Sequence, residues 1–159
     1  KNEKTAESIA VGAIKYAMLK TSPENSMMFN TEDVTRFDGD TGPYLQYTYA
    51  RANSILEKSK VKSLKYDTEN LKEEKEIELI KLASKYPEIV EKAAKDYRPH
   101  YLANYLHNLA ETFNQFYQSV PVLKSEEKVR NARLKLVESI KAVLKNGLEL
   151  LGIPVVKNM

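Results

Sequence analysis

Apolar residues recur at three- and four-residue spacing along almost the whole 159-residue chain, and no other feature restricts the fold as much. The longest run is Leu102, Leu106, Leu109, Phe113, Phe116 and Val120, an i, i+4, i+7 pattern that requires a helix buried along one face. Pro99 opens it, in the first-turn position that proline's fixed φ favours. A second run, Ile9, Ala10, Ala13, Ile14, Ala17 and Met18, predicts a helix that begins near Ala6 and stops before Pro23. Pro43 opens a third, extending to about Lys60. Its apolar stripe is Leu45, Tyr49, Ala52 and Leu56, and Tyr44, Tyr47, Thr48 and Arg51 share a different face. Residues 69–85 predict a helix with a stripe of Leu71, Ile77, Leu79 or Ile80, and Ala83, and Pro87 starts a short one ending near Tyr97. The last carries Val129, Ala132, Leu136, Ile140, Val143 or Leu144, and Leu148, with Gly152 and Pro154 as its stop. Ser125 with Lys128 forms only a partial capping box before it.

Six helices with short connections and no convincing sheet define an all-α helical bundle. Between the first two, residues 21–42 are polar and broken by Pro23 and two glycines. Met27-Met28-Phe29 could be a short extended segment there, and residues 36–41 read as a loop or turn. Residues 58–66 form a basic linker, and Glu73, Glu74, Glu76 and Glu78 read as a solvated helix face.

Composition removes several kinds of chemistry. With no cysteine there is no disulfide framework, thiolate metal site or thiol nucleophile, and 5 glycines supply no glycine-rich phosphate loop. No apolar run approaches the roughly 18 residues of a membrane span, and the start has no signal-peptide pattern, so a cytoplasmic location is expected. Residues 124–159 hold 8 basic and 4 acidic groups, against 17 and 18 in the rest. The C-terminal helix is thus the more basic surface, which suits a polyanion and equally an ordinary lysine-decorated helix.

Only His100 and His107 could serve a catalytic triad or a metal. With Glu111 one turn beyond His107 they permit a metallohydrolase reading, which stoichiometric zinc would reveal; the His-Glu-x-x-His pattern of zinc proteases is absent. Aromatic and basic groups are the better lead. Tyr44 and Tyr47 stand three apart, Arg51 four beyond, after a loop that could receive a splayed base. A tyrosine ring stacks on a nucleobase while its hydroxyl hydrogen-bonds, and such stacking is worth about 1–3 kcal/mol per base. The same residues could equally be core rings with an arginine paired to a helix acid.

The run Phe37-Asp38-Gly39-Asp40-Thr41-Gly42-Pro43-Tyr44-Leu45-Gln46-Tyr47-Thr48-Tyr49-Ala50-Arg51 resembles a signature of arginyl-tRNA synthetases, Gly-x-Thr-Gly-Pro-Tyr-Leu-Gln-Tyr-x-x-x-Arg. The likeness continues in order. Val11-Gly12-Ala13-Ile14-Lys15-Tyr16 is similar to the family helix that precedes the signature. Tyr105 to Ala110 and Phe113 to Tyr117 resemble the central helix of the DALR-type anticodon-binding domain. Ala132-Arg133-Leu134-Lys135-Leu136 matches the Arg-Leu core of the motif that names that domain, and the stretch from Leu150 to Met159 is similar to the family's terminus. Residues 60–93 carry no family motif.

The resemblance implies a tRNA-recognition module. Residues 1–42 would be the helix and loop that follow an absent catalytic domain, and residues 43–159 the anticodon-binding bundle. Neither ATP-binding signature of the catalytic half is present, so the fragment is expected to be inactive alone, with no catalytic, cofactor or metal residue of its own. The full-length enzyme would ligate arginine to tRNA(Arg) with ATP and magnesium. Carried over by position, Tyr44, Tyr47, Arg51, Tyr117 and Met159 would receive the anticodon loop, with residues 36–41 beside it, while His100 and His107 stay structural. The expected partners are tRNA(Arg) and the catalytic domain of the same polypeptide, in a monomer with no membrane contact. A DALR-type domain of another synthetase and a helical protein-interaction module are the alternatives.

Overall fold

A computed structural model describes residues 2–60, 66–157 and 159. Seven α-helices follow in order: α1 (Asn2–Leu19), α2 (Thr31–Val34), α3 (Gly42–Ser59), α4 (Glu74–Ser84), α5 (Tyr86–Lys95), α6 (Pro99–Ser119) and α7 (Glu127–Leu150), with a 3-10 turn at Thr68–Asn70. Six have ten residues or more, and no strand occurs among the described residues. The helix α6 is the axis. It packs on α1, α3, α4, α5 and α7, and all six residues of its predicted stripe are buried. On α7 the stripe resolves to Leu144 rather than Val143, and on α4 to Leu79, with Ile77 and Ile80 left exposed.

The signature run around Pro43 works first as architecture. Thr41 caps α3, its Oγ1 accepting from Tyr44 N at 3.2 Å and donating to Arg36 O at 2.6 Å. A Cβ on Gly42 would stand 2.2 Å from Gly12 O, so α1 and α3 touch backbone to backbone at this point. Gln46, fully buried, donates from Nε2 to Ser8 O (2.9 Å) and Pro154 O (2.7 Å), tying both ends of the chain to α3. Gly42→Ala is therefore expected to lower stability by about 2–3 kcal/mol, since a backbone carbonyl cannot step aside as a side chain does. A denaturant midpoint within error of wild type would contradict that contact.

Several expectations need correction. The α1 face that points inward is Gly12, Ala13, Tyr16 and Ala17, while Ile14 and Met18 are exposed. Small residues let α1 approach α3, and the hydroxyl of the buried Tyr16 reaches Asp40 Oδ1 at 2.6 Å, at the surface, and Ala103 O at 3.3 Å, inside the fold. The acidic cluster is not wholly solvated. Glu76 is completely buried and paired with Arg133 Nε at 2.5 Å. The helix α4 begins at Glu74, five residues later than expected, because residues 68–70 turn as a 3-10 helix capped by Asp67. Ser125 does not cap α7: its hydroxyl donates back to Pro121 O and accepts from Arg133 Nη1. The short α2 has no counterpart in the sequence periodicity, and residues 61–65 of the expected basic linker lie outside the described residues.

Asp40 anchors the loop before α3. Burial alone would raise its pKa. The Tyr16 hydroxyl and Lys20 Nζ (3.0 Å) outweigh that and hold the carboxyl below the usual aspartate range. A depressed native pKa contributes stability above about pH 3.9, lost as pH falls through the native value. Asp40→Asn is accordingly expected to flatten the acid limb of the stability–pH curve below about pH 4. An unchanged acid limb in chemical denaturation would contradict the assignment.

Candidate nucleic-acid interface

One stripe of α3 carries Tyr47, Arg51, Ser54 and Lys58 at i, i+4, i+7 and i+11, which a 3.6-residue helix places on a single face. Tyr117 from α6 and Leu123 from the α6–α7 connection face it. The C-terminal tail closes the third side. After Gly152, at φ +66°, the chain reverses; Ile153 and Val156 bury, and Asn53 Nδ2 donates to Lys157 O at 3.4 Å. This strap along α3 brings Lys157 and Met159 to the same place. The result is a cleft of about 360 Å³ in which three lining side chains are cationic and none is acidic.

Arg51 is its centre. The guanidinium carbon lies 4.7 Å from the Tyr47 ring centroid and 5.3 Å from that of Tyr117, so the cation is held between two aromatic faces. Its Nη2 donates to Tyr47 Oη at 2.9 Å, and its Nη1 donates to Asn114 Oδ1. Both rings and the arginine remain partly accessible, with Tyr117 and Met159 each 42% exposed. A planar cation already stacked on tyrosine, beside two lysines and open to solvent, suits an unstacked base with its phosphates.

Four of the five expected site residues, Tyr47, Arg51, Tyr117 and Met159, thus line one cleft. Tyr44 does not line it. Its ring leans on His107, with centroids 5.8 Å apart, and its hydroxyl accepts from Asn114 Nδ2 at 2.9 Å, which ties it to Arg51 through one side chain. Sequence reasoning misses Asn114, Ser54, Lys58, Leu123 and Lys157. Of these, Ser54 and Lys58 carry a readable signal, as continuations of the Tyr47–Arg51 stripe.

The two histidines do not assemble a centre. His107 Nδ1 is 3.8 Å from Glu111 and its Nε2 4.0 Å from Asp40, while His100 lies edge-on to Tyr101. Among the described residues no group of three or more His, Asp or Glu could hold a metal ion. No helix among them is long and apolar enough to cross a membrane.

The fold is thus an all-helical bundle with an aromatic and basic cleft between α3, α6 and a returning tail. The profile described as "DALR anticodon binding domain" matches residues 45–159, and the chain belongs to that family. More particularly, it is similar to arginine–tRNA ligases. It is 48% identical to that of Thermococcus sibiricus and 46% identical to that of Pyrococcus furiosus, over 95% of its own length in each case. The solved Thermus thermophilus arginyl-tRNA synthetase superposes on the whole chain with a TM-score of 0.95 at 37% identity. The Plasmodium falciparum arginyl-tRNA synthetase does so over 98% of it, at 0.85 and 30%. The chain spans about a quarter of the length of these proteins, 25% of each of the two ligases and 28% of each solved synthetase.

Proposed function

We propose that this domain receives the anticodon loop of tRNA(Arg) in the α3–α6–tail cleft, as the recognition portion of an arginine–tRNA ligase. One observation carries the reading: Tyr47 and Arg51 of α3, Tyr117 of α6 and Met159 of the tail converge on a single basic cleft in a member of the anticodon-binding family. The rings hold unstacked bases, and Arg51, Lys58 and Lys157 neutralise phosphates, which makes affinity fall with salt.

Ligation itself, with ATP and magnesium, belongs in this reading to a catalytic domain of the same longer polypeptide. No residue of the cleft is assigned to ATP or to arginine. The reading takes the protein as a monomer, and tRNA charging would place it in the cytoplasm.

The test is a low-salt titration with tRNA(Arg) beside a tRNA of another amino acid, monitored by anisotropy. Tighter binding of tRNA(Arg), by about tenfold or more, is expected, with both affinities falling on added salt. Preference for the other tRNA would assign the domain to a different synthetase, and no binding to either would overturn the proposal.

A further inference from the structure

We infer that Met159 is an oxidation site within the cleft, and that its conversion to the sulfoxide weakens RNA binding until a reductase reverses it. The inference rests on the cleft being the RNA site proposed above.

The chain contains no cysteine, so the thioethers of its four methionines are its only sulfur atoms. All four side chains are exposed. Met18, Met27 and Met28 belong to α1 and the α1–α2 connection, and none of the three lines the cleft. Met159 does line it, with Arg51, Lys58 and Lys157. At 42% exposure it is open both to a small oxidant and to an enzyme that would repair it.

The oxidant class is a peroxide. The sulfur lone pair attacks one oxygen of hydrogen peroxide, and the S–O bond forms as the O–O bond breaks. The proton left on the sulfur-bound oxygen passes to the departing hydroxide, giving a sulfoxide and a water. Sulfur gives up the electron pair that the peroxide gains. Methionine sulfoxide reductases restore the thioether, one enzyme for each sulfoxide epimer.

This change reverses what the side chain offers a nucleotide. A thioether is soft and polarizable and packs favourably on an aromatic face, which suits an unstacked base. A sulfoxide is polar, and its oxygen accepts hydrogen bonds. The cleft supplies three cationic side chains, which can only donate, and no acidic one. The sulfoxide oxygen therefore competes with RNA phosphates for the hydrogens of Arg51, Lys58 and Lys157. It also sets a partial negative charge where those phosphates bind. Both effects lower affinity.

The experiment treats the chain with dilute hydrogen peroxide, reads oxidation at each methionine by peptide mass spectrometry, and measures tRNA(Arg) affinity by anisotropy at fixed low salt. Oxidised wild type is expected to bind about tenfold more weakly than the untreated chain and to recover after incubation with both reductases. Each variant is compared with its own untreated form. Met159→Leu is expected to lose the peroxide response, whatever its starting affinity. The triple variant Met18→Leu, Met27→Leu, Met28→Leu, in which Met159 is the only sulfur left, is expected to keep it. Bound tRNA should slow oxidation of Met159 and leave that of Met28 unaltered. Unchanged affinity with Met159 fully oxidised, a Met159 that stays unoxidised while Met28 reacts, or a response that survives in Met159→Leu would each overturn the inference and leave the cleft as the RNA site. An untreated wild-type chain that binds no tRNA would overturn the RNA reading, and this inference with it.

Discussion

Replacing Arg51 by alanine is expected to weaken binding of tRNA(Arg) by about a hundredfold at fixed low salt, the sum of a lost stacking platform and a lost cation. The guanidinium sits between the rings of Tyr47 and Tyr117, bonds the Tyr47 hydroxyl and reaches Asn114 behind them. Its removal therefore frees two aromatic faces as well as deleting a charge. Arg51→Lys separates these effects. A lysine keeps the charge but has no planar fork to bond Asn114 and Tyr47 at once, so it should recover the salt dependence and little of the affinity. The change in unfolding midpoint should stay small, because Arg51 is partly exposed and the Asn114 amide keeps two of its partners. Anisotropy titrations of both variants, with thermal melts alongside, measure this. Wild-type affinity in Arg51→Ala would remove the arginine from the binding site.

The largest effect on stability is expected at Arg133. Its Nε meets the completely buried Glu76 at 2.5 Å, and its Nη1 donates to Pro121 O at 3.1 Å and Ser125 Oγ at 2.6 Å. Glu76 also accepts from Glu73 N at 2.9 Å, closing the first turn of α4. The single arginine thus locks α4, α7 and the connection that carries Leu123 to the cleft. Arg133→Ala would strand a carboxylate in the core, which typically costs about 3–5 kcal/mol, a large share of the total stability of a domain. A domain of this size should lose about 10 °C in melting temperature. The double change Glu76→Leu, Arg133→Met is expected to recover most of that loss, since apolar replacement of a buried pair is often neutral. If the double variant is no better than Arg133→Ala, the cost lies in the α6–α7 connection and not in the stranded charge.

How far each feature is legible in the amino-acid sequence depends on its physical kind. The α6 stripe and the all-α class follow from a strict period over one long helix, and every member of that stripe is buried. The inward face of α1 escapes the same reasoning because its periodic residues Ile14 and Met18 are the larger ones, yet contact with α3 needs the small Gly12 and Ala13. Hydrophobicity does not register backbone approach. Glu76 escapes it for a related reason. In a run of acids and lysines nothing local distinguishes the one carboxylate whose partner, Arg133, lies 57 positions away.

The cleft divides in the same way. Tyr47 and Arg51 stand on one helix at readable spacing, whereas Tyr117 and Met159 are reached by family resemblance alone. Their convergence requires the tail to turn at Gly152 and run back along α3, held by Gln46 and Asn53, which are long-range bonds that no spacing encodes. Asn114 is invisible to the same reasoning because its bonds to Arg51, Tyr44 and Thr48 cross from α6 to α3, which no spacing along one helix encodes.

Everything proposed for this chain turns on whether the cleft holds the anticodon loop, and hydroxyl-radical footprinting of tRNA(Arg) by the chain reads that out nucleotide by nucleotide. Protection concentrated in the anticodon loop is expected with wild type, and its loss is expected with Arg51→Ala. Protection spread over the stems or the elbow, with the loop left open and the Arg51→Ala pattern unchanged, would contradict it.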